Sequence, residues 1–169
     1  MSKQPATPSQ MAERLAALLP PALSPALLED YRLEHVVPHA PQLTHELLGL
    51  SLFYITAALE AHYRGIGDVL VSPEVRRLLF QRWTKVYGLP EPDWEGFLHD
   101  LPERFRLYER VNAEGGSAVS VATEVAADLE SNWVIRSEDE PQALALLVDL
   151  VQVDAIGDLF ETLELVAPS

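Results

Sequence analysis

Four of the five histidines, His35, His39, His45 and His62, fall within one short stretch, with Glu34, Glu46 and Glu60 interleaved. Imidazole beside carboxylate is the ligand chemistry of zinc and of non-haem iron. The spacing, however, does not suit one site. Di-iron bundles place Glu-x-x-His on inward helix faces, and that motif does not occur here. Pro38 interrupts any helix that would align His35 with His39. On a single helix, His45 and His62 would project about 100° apart. The ligand set this region could offer is His35, His39, His45 and Glu46. A small-ligand or metal-binding protein using residues 34–62 is therefore the alternative reading.

A second constellation is acidic. Asp154, Asp158 and Glu161 recur at i, i+4 and i+7, so on a helix they form one stripe, flanked by Asp149 and Glu164. No histidine or lysine accompanies them as an acid–base partner, and the oxygen-and-glycine grammar of a calcium loop is missing. The stripe belongs to a wider asymmetry. Residues 111–169 carry twelve acids and one base, Arg136, whereas the preceding 110 residues carry fourteen acids and eleven bases. Acids crowded along helices repel one another. Such a surface suits a basic partner, cations, a salty habitat or plain solubility. The residues expected to meet a partner are Asp149, Asp154, Asp158, Glu161 and Glu164.

Seven of the twelve bases lie between Arg76 and Arg110, interleaved with aromatic residues from Phe80 to Tyr108. Taken alone this resembles nucleic-acid chemistry, but seven acids from Glu74 to Glu109 cancel the charge. A sequence pI near 4.6 argues against nucleic acid and against anionic membranes. The arginines are instead expected to receive the acidic C-terminal segment, within one chain or across a dimer. Gly65-Ile66-Gly67 and Gly115-Gly116-Ser117 lack phosphate-loop spacing. No serine sits in a nucleophile elbow, and cysteine is absent. No enzyme signature emerges, and no cofactor is expected.

The elements that must position these residues read as helices. Residues 1–8 are expected to be a flexible tail, and residues 9–169 a single helical domain, a length that buries about 70% of the unfolded surface. Ser24-Pro25 opens a helix by cap and first-turn proline, and Ser72-Pro73-Glu74 opens another. The segment 42–64 is apolar on nearly every side, the pattern of a helix buried all round. Gly49 within it suggests a close helix approach. Pro102 is expected to separate two helices. Residues 141–166 are expected to be helical, bent near Gly157, with a short strand at 148–153 as the alternative. The longest apolar run is too short for the about 20 residues that cross a bilayer, and no secretory signal is visible.

The sequence thus predicts an all-α fold, a compact bundle of about seven or eight helices around a buried central helix over 42–64. It predicts a non-enzymatic, cytoplasmic protein-interaction module of adaptor, chaperone-like or regulatory type. The expected partner is a basic protein surface or a second copy. The apolar load from Leu144 to Leu163 is the motive for a homodimer.

Overall fold

Two apolar stripes run along opposite faces of the longest helix, and they divide the core in two. Leu48, Leu52, Ile55 and Leu59 share one face. Leu43, Leu47, Leu50 and Phe53 share the other, at about 100° per residue. All eight are buried. The first stripe joins a cluster with Met11, Leu15, Leu79, Trp83, Leu101 and Phe160. The second joins Leu28, Val36, Tyr108, Val125, Leu129 and Leu147. Thr44 and Ser51 satisfy their hydroxyls by donating to the carbonyls four residues back, each at 2.8 Å.

The computed structural model describes residues 2–166. In chain order the helices are α1 (Pro8–Ala16), α2 (Pro25–Asp30), α3 (Ala40–His62), α4 (Ser72–Trp83), α5 (Asp93–Ala113), α6 (Ala118–Ser131), α7 (Glu140–Leu150) and α8 (Val153–Thr162). The central helix is α3. Two strands of three residues, β1 (Gln4–Ala6) and β2 (Leu163–Leu165), pair in parallel, with Gln4 opposite Leu163. The fold is all-α, as the apolar periodicity implies.

Around α3, α1 packs on α4, α6 on α7, and both α5 and α8 on α3 itself. Specific bonds lock the first group. The Arg82 guanidinium donates to the Ala16 carbonyl at 2.6 Å, the Trp83 indole to Pro90 at 2.8 Å, and the Tyr87 hydroxyl to Pro20 at 2.7 Å. Burial pushes the Tyr87 phenol up to about 12, so it remains a donor across the ordinary pH range.

Several local expectations change. The segment read as a tail contributes β1, and Thr7 within it caps α1 in a capping box with Gln10. The Tyr63 hydroxyl clips the far side of this pair, accepting from the Leu165 amide at 3.0 Å. Pro102 does not end a helix; α5 runs through it. Its buried face of Trp94, Phe97, Leu101 and Tyr108 continues on both sides of the proline, and that packing outweighs a cost of about 3 kcal/mol. The C-terminal segment breaks at Val151 and Gln152, not at Gly157. Val151 is extended (φ −88°, ψ 107°), with its side chain buried. The strand lies at 163–165, not at 148–153. Ser72 does not cap α4, because a π-helical turn, Gly67–Val71, runs directly into that helix.

Gly49 and Gly67 make opposite predictions. A Cβ on Gly49 would sit 3.6 Å from the Tyr108 hydroxyl and 3.8 Å from Leu101, ordinary contact distances. Gly49→Ala should therefore stabilise the protein by about 0.5–1 kcal/mol through helix propensity. A Cβ on Gly67 would lie 2.9 Å from the Leu59 Cβ, so Gly67→Ala should cost about 1–3 kcal/mol. Urea midpoints for the two variants, measured beside the parent, check both signs.

Candidate functional site

The histidine-rich stretch does not converge. Residues 34–39 form a 3-10 helix, where positions four apart diverge by about 120°, so His35 and His39 face different ways. His35 Nε2 lies 2.8 Å from Asp139 Oδ2 and 3.1 Å from the Arg136 guanidinium. His45 stacks on Trp83, with ring centroids 5.3 Å apart, and His62 stacks on Phe160 at 4.9 Å. Glu46 is buried under Arg104, which forms an ion pair with it, and the Tyr108 hydroxyl donates to its second oxygen at 3.0 Å. The proposed ligand set of His35, His39, His45 and Glu46 is therefore dispersed over separate contacts. Among the described residues, no group of three or more His, Asp or Glu side chains is placed to hold a metal ion.

Glu46 and Arg104 do line an open cleft of about 900 Å³ that also takes in Asp100, Glu103, Arg106, Arg110 and Asp128. Its buried groups are already committed to one another. The guanidinium and the phenol each engage one oxygen of the Glu46 carboxylate, which is therefore not a free base. This cluster clamps α5 to α3.

Asp139 is the other deeply buried carboxylate. Burial alone would push it up, but hydrogen bonds from His35 and from the Arg136 backbone and side chain hold it below its ordinary value. It anchors the start of α7.

The acids of the stripe are placed differently. Asp154, Asp158 and Glu161 lie on one face of α8, Asp149 on α7 and Glu164 on β2, and all five are exposed. Among the described residues, no arginine or lysine pairs with any of them within 4.0 Å. Arg77 pairs with Glu74, Arg104 with Glu46, and Arg136 with Glu138 and Asp139. The expectation that the arginine-rich middle receives the acidic segment within one chain is thus not met. Asp149 has only a neutral partner, the Tyr31 hydroxyl at 2.8 Å. Crowding of acids reaches the α6–α7 junction, where a hydrogen bond with Glu130 raises the Glu140 carboxyl above its ordinary value.

Beside the stripe, α3, α6, α7 and α8 enclose an apolar groove of about 530 Å³. Val119 and Val148 line it while 50% and 43% exposed. The Tyr54 ring is part of its wall, and the Tyr54 hydroxyl is buried without a hydrogen-bond partner. Sequence patterning passed over these residues. Their signal was a valine outside the buried stripe of each helix: α6 buries Val121, Val125 and Leu129, and α7 buries Ala143, Leu146 and Leu147.

Trp133 was also passed over. It follows α6 with left-handed backbone (φ 61°) and is 86% exposed. The amide of Val134 reaches back to the Leu129 carbonyl at 2.9 Å, a helix stop that ordinarily uses glycine. The motive for a homodimer weakens as well. Leu147, Val151, Ile156, Leu159, Phe160 and Leu163 are all buried within the chain.

Comparison with protein-family models, curated proteins and solved structures gave no match.

Two measurements check the buried groups. Arg104→Met strands a buried carboxylate and should cost about 3–5 kcal/mol, whereas Glu46→Leu combined with Arg104→Met should recover much of that loss; urea midpoints of the single and double variants decide. For His45, burial, reinforced by the Arg104 charge, holds the imidazole below its ordinary 6.5. The unfolded chain therefore takes up the proton first, so stability is full above pH 6.5 and falls as pH drops below it. His45→Phe should flatten that slope between pH 7 and pH 5.

Proposed function

We propose that this protein is a non-enzymatic protein-interaction module whose acidic C-terminal face, Asp149, Asp154, Asp158, Glu161 and Glu164, engages a basic surface on another protein. One observation carries the reading. All five carboxylates are exposed, and none is neutralised by a base of the described chain. An unpaired single-sign face steers an oppositely charged partner and sets its orientation. Glu46, Arg104 and Tyr108, the buried polar groups that converge, are committed to one another, which favours a structural role for them. The absence of cysteine suits a reducing cytoplasm. No described helix is long and apolar enough to cross a membrane.

A second reading, a small-ligand receptor, has its own support in the cleft of about 900 Å³ where Arg104, Arg106 and Arg110 gather. Its lining carries both signs, with Glu46, Asp100, Glu103 and Asp128 beside those guanidinium groups, so a small zwitterionic ligand would suit it.

The test is a variant carrying Asp149→Asn, Asp154→Asn, Asp158→Asn, Glu161→Gln and Glu164→Gln. Parent and variant are compared by affinity capture and by sedimentation velocity, at about 50 mM and about 500 mM salt, where screening differs severalfold. The expected result is that partners or self-association seen with the parent at low salt disappear in the variant and at high salt. Partner recovery and self-association both unchanged by the substitutions would overturn the proposal.

A further inference from the structure

We infer that the groove between α6, α7 and α8 is the seat for a basic amphipathic helix of a partner protein. This inference rests on the acidic-face reading and names the partner class that the face admits. The groove wall is more apolar than polar, with Leu50, Ala122, Leu147 and Val151 lining it beneath the half-exposed Val119 and Val148, and Gln152 as a neutral polar member. Among the described residues its lining contains no lysine, arginine or histidine, while Asp149 and Asp154 stand at its rim. An apolar trough with only negative charge beside it selects an occupant that is apolar on one face and cationic on the flank.

The acids extend past the groove. From Asp154 the exposed carboxylates continue along α8 to Asp158 and Glu161, a span of about 10 Å at helical rise. A small organic cation inserted in the groove would not reach that far. A helix lying along α8 would, with bases repeating at the same i, i+4, i+7 interval.

The probes are two fluorescent 16-residue peptides of identical composition: one with leucines at i, i+3, i+4 and i+7 and lysines elsewhere, the other with that order scrambled. Anisotropy titrations use the full chain, and circular dichroism confirms that each variant is folded. The amphipathic peptide is expected to bind at least tenfold more tightly than the scrambled one. Val119→Glu and Val148→Glu provide the decisive variants. Each adds negative charge, which by itself would tighten binding of any basic peptide, yet each is expected to weaken the amphipathic peptide at least fivefold. Substitutions at the far end, Asp158→Asn with Glu161→Gln, are expected to weaken both peptides.

Equal affinity for the two peptides, or unchanged or tighter binding by the glutamate variants, would overturn the groove proposal. If both peptides are nevertheless lost on neutralising the stripe, the acidic-face reading stands without the groove. Binding of neither peptide at low salt would overturn both. Displacement of the amphipathic peptide by spermine at equal charge concentration would assign the groove to small cations and likewise overturn the proposal.

Discussion

Scarcity of positive charge governs this molecule. There are twelve lysines and arginines for twenty-six acids, and the two deeply buried carboxylates, Glu46 and Asp139, each hold an arginine. That allocation follows from desolvation. An unpaired carboxylate in the interior costs several kcal/mol, about 3–5 when its partner is removed, whereas exposed acids lacking a partner lose on the order of 1 kcal/mol or less. Arg104 and Arg136 serve the interior, and seven of the twelve bases lie along α4, α5 and the segment between them. Acids on α8 and β2 are left to solvent.

The Glu46 clamp also determines the character of the cleft beside it. Without Arg104 across it, Glu46 would be a buried carboxylate facing a recess, an arrangement that invites acid–base chemistry. With Arg104 and Tyr108 both on it, the same residue instead fixes the crossing of α5 over the central helix. α3 then separates two cores. One holds the chain ends together through β1, β2 and Tyr63. The other supports α6 and α7, while the buried face of α8 packs into the first, so the acidic face and the groove lie where the two cores meet.

Much of this was legible in the sequence wherever the signal was local. The lack of a polar side on α3 identified the buried central helix, and the interval of Asp154, Asp158 and Glu161 placed three carboxylates on one helical face. Features that depend on distant partners were not legible. Gln4-Pro5-Ala6 has no strand propensity, and it becomes a strand only because residue 163 lies beside it. The tertiary face of α5 overrides the proline signal at 102. Proximity in sequence suggested that the histidines converge, but a 3-10 turn and aromatic stacking send His35, His45 and His62 to different neighbours. Trp133 stops a helix where a glycine would be read as the stop. The groove is the hardest case, since four helices contribute to it and no single one carries its pattern.

The most direct measurement is an amide chemical-shift map of the full chain titrated with a lysine-rich amphipathic peptide. The account predicts perturbations concentrated at residues 118–122 and 147–164, with the Glu46, Arg104 and Tyr108 amides unmoved. Perturbations centred on that clamp and its cleft, with α8 silent, would contradict it.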